Sequence, residues 1–182
     1  DGTDDGITTP TDSDFDFGSG DFTIECWAKQ DSTSNYRVFV AKYGGSTDRE
    51  FYMGQNGASP VFINSDGTTF TATNFTASTN DWYHMAVCRE GSATNMYING
   101  VCEATGAAAD QSARSNKVTI GFEDDEESSS FDGYLQDVRI YKGVAKYSGT
   151  SVGTQCFVVP STSPDILPDT PSGVSGGSKL TK

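Results

Sequence analysis

The sequence predicts an all-β fold, an antiparallel sandwich of two sheets that carries an extended C-terminal tail. Three observations support this. Apolar and polar residues alternate with period 2 in segment after segment, while helical periodicity is nearly absent. The segments are short and separated by Gly, Asn, Asp, Ser and Thr, in keeping with 20 Gly among 182 residues. Eight or more such strands with turns between them fit a sandwich; a βαβ fold would interleave long amphipathic helices.

The elements follow in order. In residues 22–29 (FTIECWAK), Phe22, Ile24, Cys26 and Ala28 alternate with Thr23, Glu25, Trp27 and Lys29, which reads as a half-buried strand. Residues 37–42 (RVFVAK) and 50–53 (EFYM) are the second and third strands. Residues 61–64 (VFIN) lead through Ser65, Asp66 and Gly67 into 68–73, and Asp-Gly between two β-rich runs marks a hairpin. Residues 82–89 (WYHMAVCR) alternate again, with Trp82, His84, Ala86 and Cys88 on one side. Residues 94–103 contain Asn99-Gly100, the clearest hairpin in the chain, because a type I′ turn needs positive φ at both central positions. Residues 117–122 (KVTIGF) and 133–141 (GYLQDVRIY) supply two further strands, and one helical turn is expected near 143–147. From Pro160 the composition turns to Pro, Gly and Ser, so the sandwich is assigned to 1–159 and a linker or arm to 160–182.

Composition narrows the function. A 35% hydrophobic share with 11 Phe and 8 Tyr can fill one domain core at this length. No run of 18 apolar residues is present, so no helical membrane insertion is expected. The opening DGTDDG lacks an initiator Met and a charged-then-apolar leader, and reads as the interior of a longer polypeptide. The net charge of −13, from 25 acidic and 12 basic residues, repels nucleic acid and anionic membranes and favours solubility. Cys26, Cys88, Cys102 and Cys156 are widely spaced with no CxxC pair, which argues against structural zinc. Reduced thiols are expected, the strand cysteines acting as small hydrophobes.

Three stretches, taken in order, carry a resemblance. They are DGTDDGITTP…DFDFGSGDFTIECW, DWYHMAVCREGSATNMYINGV and FDGYLQDVRIYKGVAKY. Together they resemble the laminin-G-like branch of the concanavalin A-like lectin/glucanase superfamily over about residues 1–160, which implies a jelly-roll sandwich and says little about function. The YKGVAKY turn with its Pro-rich connector is most similar to modules in bacteriophage structural proteins. The resemblance also implies a strand before DGTDD, so a truncated or processed start is expected.

Candidate chemistry is sparse. A retaining glycosidase needs two carboxyls about 5–5.5 Å apart, and an E-x-D-x-E strand that would supply them is missing. Glu123-Asp124-Asp125-Glu126-Glu127 reads as a solvated loop. His84 is the sole histidine, and Cys88 lies four residues along its strand, about 13 Å away, so a structural role is expected and no catalysis. Calcium is the one cofactor the resemblance raises. It points to Asp4 and Asp5 with Asp137 of the last strand, and to the 124–127 rim loop. No EF-hand pattern is present, and solvated or hydrogen-bonded carboxylates are the favoured reading. Trp27, on the polar side of its strand, is the candidate sugar-stacking platform, although packing under another element is the commoner fate of a large aromatic. Asn74-Phe75-Thr76 fits a glycosylation pattern that is common by chance.

The leading expectation is a non-catalytic structural and adhesion module on a virion exterior, a phage capsid decoration or fibre component. It would contact neighbouring virion or fibre subunits and, weakly, host surface glycans through end loops or a concave sheet. The alternative is a calcium-dependent carbohydrate-binding lectin module of a secreted or cell-surface adhesin.

Overall fold

The computed structural model describes residues 5–45, 47–111, 114–123 and 129–159. Among them, two antiparallel sheets account for nearly all regular structure. The six-stranded sheet runs β1 (Ile7–Thr8), β10 (Val118–Ile120), β3 (Arg37–Tyr43), β4 (Arg49–Asn56), β5 (Ser59–Asn64), β6 (Thr69–Thr71). The five-stranded sheet runs β11 (Gly133–Lys142), β2 (Phe22–Gln30), β7 (Trp82–Glu90), β8 (Ala93–Ile98), β9 (Val101–Ala107). The proposed 160–182 arm lies outside the described residues.

Local chemistry sets the hairpins. Asn99 and Gly100 have φ of 50° and 81°, as a type I′ turn requires, and they join β8 to β9. A Cβ on Gly100 would also lie 2.2 Å from the Phe157 carbonyl oxygen, so only glycine fits. The Asp66-Gly67 turn joins β5 to β6, with the Thr68 N–H donating to the Asp66 carboxylate at 2.8 Å. β1 pairs only two residues with β10, too short a pattern to read by alternation.

The inner faces meet in one core. Phe22, Ile24, Cys26 and Ala28 of β2 pack with Val40, Phe51, Met53 and Phe62 of the opposite sheet. Phe17 stacks between Phe22 and Phe51, at 4.7 Å and 5.4 Å.

β2 departs from the half-buried expectation. Its polar-side residues Thr23, Glu25 and Trp27 are buried as well. The cause is residues 143–157, which fold back over the outer face of the five-stranded sheet. This strap pairs Gln155 with Val101, and Tyr147 stacks on Phe157 at 3.6 Å over Ala86, Cys88, Tyr97 and Cys102.

Glu25 anchors the strap. Its carboxylate accepts from Lys146 Nζ at 2.6 Å and Tyr147 Oη at 2.7 Å, with His84 Nε2 at 3.4 Å and Arg139 at 3.8 Å. Burial opposes its ionisation, but the hydrogen bonds from His84, Lys146 and Tyr147 and the Lys146 charge outweigh this and hold its pKa at about 2. The helical turn expected at 143–147 is absent. A helix would take the Lys146 N–H to a carbonyl four residues back, whereas that N–H donates to Thr23 Oγ1 at 2.9 Å and the segment is irregular.

This carboxylate makes the fold acid-sensitive in a defined window. Its pKa is depressed on folding, so its contribution is complete above the ordinary carboxylate range and is lost as pH falls toward about 2. Glu25→Gln is expected to lower stability at pH 7 by about 3 kcal/mol or more and to flatten the decline between pH 5 and 2. Denaturant titrations across that range measure both, and an unaltered acid decline contradicts the assignment.

Candidate ligand groove on the six-stranded sheet

The strap covers the outer face of the five-stranded sheet around Tyr97, while Trp82 and Tyr134, both paired with Lys29 on that face, stay exposed. Antiparallel pairing aligns Ala41, Tyr52 and Ile63 on the outer face of β3, β4 and β5. Val38, Tyr43 and Val61 complete an apolar floor there. Above it lies a groove of about 570 Å³ lined by Tyr36, Tyr43, Tyr52, Arg49, Thr69 and Glu123.

A bulge shapes this groove. β4 carries one extra residue, Glu50, between Lys42↔Phe51 and Tyr43↔Arg49. The irregularity turns Arg49 to the outer face beside Tyr43 and tucks Glu50 inward, where Lys42 Nζ binds it at 2.7 Å and also binds Asp16. Burial of Glu50 raises its pKa, partly offset by Lys42 and the Arg114 N–H. Arg49 is fixed by its Nε donating to the Asn64 carbonyl at 3.1 Å. Its Nη2 would lie 2.7 Å from a Cβ on Gly67, so the β5–β6 turn also makes room for a groove residue.

Tyr52 sits at the centre, 3% exposed, with Tyr36 and Tyr43 edge-on at 6.4 Å and 6.0 Å. Tyr36 is 49% exposed and held at positive φ, which presents its ring to solvent. Burial, with help from the Glu123 carboxylate, pushes the Tyr52 phenol pKa up, so it remains a neutral O–H. An aromatic wall with a few polar groups suits a ligand that is apolar on one face and hydroxylated at its edge. Of these residues only Glu123 was discussed from the sequence, as the start of a solvated acidic loop, and that is corrected: it is buried. The usable signal was Tyr52 in EFYM, which alternation places opposite Phe51 and Met53.

The anticipated residues lie elsewhere. Trp27 is corrected as a platform: it is 8% exposed and edge-on to His84 at 5.4 Å, covered from the strap side. Trp82 is the exposed indole, at 40%. His84 lies between Trp27, Tyr147 and Phe157 with Glu25 on its Nε2, a packing role. The four cysteines are free thiols, and burial pushes Cys88 up to about 11, which leaves it protonated and unreactive.

Asp5 and Asp137 do share a groove, of about 920 Å³, with Asp31 and Asp132. Asp137 occupies a bulge in β11 at φ 52°, 3.6 Å from the Arg139 guanidinium. Asp4 and the 124–127 loop fall outside the described residues. Among the described residues no three His, Cys, Asp or Glu converge as a metal site, and Arg139 competes for Asp137.

Comparison with known proteins agrees with this architecture. A family model described as the concanavalin A-like lectin/glucanases superfamily matches residues 1–146. No curated protein matches the sequence. Among solved structures, a Bacteroides ovatus protein put forward as carbohydrate binding is 18% identical with a TM-score of 0.59; the match covers 79% of this chain and 42% of that one. Domain 4 of a Geobacillus stearothermophilus GH43 extracellular arabinanase, in complex with arabinotriose, gives 18% identity, TM-score 0.56, and coverage of 76% and 66%. The Ruminococcus gnavus sialidase CBM40 bound to α2,3-sialyllactose gives 15%, 0.57, and coverage of 76% and 90%. At these identities the likeness is one of fold.

The two indoles give a direct check on the reassignment. Acrylamide is expected to quench Trp82 and spare Trp27, so Trp82→Phe leaves a blue-shifted emission with a quenching slope several-fold below that of Trp27→Phe. Equal slopes for the two variants contradict burial of Trp27.

Proposed function

Since the chain belongs to the concanavalin A-like lectin/glucanase superfamily, we propose that it is a non-catalytic glycan-binding module holding a sugar in the tyrosine groove. The observation that carries this reading is a groove on the outer face of the six-stranded sheet lined by three tyrosines, Arg49, Thr69 and Glu123, with the Tyr36 ring 49% exposed. The exposed Tyr36 ring offers a flat apolar surface to the C–H face of a pyranose, and the polar groups around it can meet ring hydroxyls. Arabinotriose and sialyllactose in two structures of the same fold support a sugar as the ligand class. A secreted or cell-surface setting goes with this reading.

The groove reverses the order of the two expectations. Placement on a virion rests only on the resemblance of the closing block around YKGVAKY, and the comparisons add nothing that links the chain to a phage. Glycan contact is common to both settings.

A printed glycan array probed with the whole chain tests the proposal. Saturable binding is expected, insensitive to EDTA, and weakened about tenfold or more by Tyr36→Ala with unchanged unfolding, since truncating an exposed aromatic anchor costs upwards of about 1.4 kcal/mol. A blank array sinks the proposal. Binding abolished by EDTA would move the site to the aspartate groove.

A further inference from the structure

We infer that the chain carries a second glycan platform on the opposite outer face, where Trp82 and Tyr134 flank Lys29 and stack on a linear, uncharged oligosaccharide. This inference shares the ligand class of the reading above but not its groove.

Register builds the platform. Lys29 of β2 pairs with Tyr134 of β11 on one side and with Trp82 of β7 on the other. Residues paired across antiparallel strands project from the same face, so the three side chains form one row across three strands. Ala28, the next residue back, lies in the core, which puts this row on the outer face. The strap does not cover it. That segment packs over Ala86, Cys88, Tyr97 and Cys102 and is anchored at Glu25, four residues before Lys29. Trp82 therefore stays 40% exposed and Tyr134 56% exposed. Two strand spacings put these residues about 10 Å apart. Between them Lys29 Nζ lies over the Tyr134 ring, 4.6 Å from its centroid, and steadies it, while Tyr134 also lines the groove of about 920 Å³.

The chemistry of the row chooses the occupant. A protein partner is the other ligand that two exposed aromatics invite, but the cores of protein interfaces are depleted of lysine, and here a lysine stands between the rings. A sugar needs the opposite mixture: an apolar surface under its C–H face and polar groups beside its hydroxyls. Lys29 supplies donors. Acceptors come from Asp81, which precedes Trp82, and from Asp31 and Asp132, each two residues from a member of the row. The Asp31 N–H donates to the Asp132 carbonyl at 2.9 Å, which ties those two together. Three carboxylates around one ammonium repel an acidic sugar and favour a neutral one. Rings this far apart meet different units of one sugar chain, so a short sugar gains only one of the two stacks. An open row encloses less of its ligand than the tyrosine groove and is the weaker of the two sites.

Trp82 reports its own occupancy, being the exposed member of the two indoles. Acrylamide quenching is measured on the Tyr36→Ala chain, whose groove is impaired, with cellotetraose, xylotetraose and mannotetraose and with their disaccharides. At least one tetrasaccharide is expected to lower the quenching slope about twofold or more, with its disaccharide about tenfold weaker. Adding Tyr134→Ala is expected to raise the half-saturating concentration about tenfold or more at an unchanged Tm. No protection by any of the three, or protection that Tyr134→Ala leaves untouched, overturns the inference. So does a dimer that forms without sugar and is lost on Trp82→Ala, since the row is then a protein contact. Array hits that respond to Tyr36→Ala while Trp82 stays unprotected leave the groove reading standing alone. Protection of Trp82 with array hits indifferent to Tyr36→Ala leaves the platform and removes the groove. A blank array with no protection removes both.

Discussion

The strap over the five-stranded sheet depends on where one carboxylate sits. Glu25 lies mid-strand on the outer face of the five-stranded sheet, a position where a glutamate would ordinarily face water. Instead it gathers Lys146 and Tyr147 from a segment 121 and 122 residues away. Those bonds draw residues 143–157 across the sheet and bury the face that Glu25 shares with His84, Ala86 and Tyr97. A buried charge is tolerable only when its partners are in place, so the carboxylate and the strap require each other.

The opposite sheet meets a different constraint. On its outer face Val38, Ala41, Tyr52 and Val61 are themselves buried. Its side chains there are a mixture of tyrosine, valine and threonine, and a bulge at Glu50 sends the charge inward and Arg49 outward. A sandwich has two outer faces and one shared core. The strap closes the first face over Ala86, Cys88, Tyr97 and Cys102 and leaves Trp82 and Tyr134 exposed on it.

Strand pattern made half of this legible. Phe22, Ile24, Cys26 and Ala28 face the core as their alternation says, and Asn99-Gly100 turns as its residue types demand, because both depend on neighbours in sequence. What pattern could not supply was the fate of the polar-side residues. Trp27 and Tyr52 both sit on the face opposite to core residues of their strands. One is buried by the strap beside Glu25, and the other lies at the bottom of a groove. Nothing within FTIECWAK or EFYM distinguishes them, since the distinction is made by segments over a hundred residues away or by loops joining other strands. Asp5 and Asp137 were placed together through the resemblance, and the arginine that answers Asp137 is two residues along the same bulged strand.

The central claim is that the ligand sits on the outer face of the six-stranded sheet and not on the strap. Amide chemical-shift mapping, with the strongest glycan from the array titrated into isotope-labelled protein, addresses it most directly. The account predicts shifts clustered at Tyr43, Tyr52, Ile63 and Thr69, with Tyr147 and Phe157 unmoved. Shifts concentrated on the strap and β7, with the six-stranded sheet silent, would contradict it.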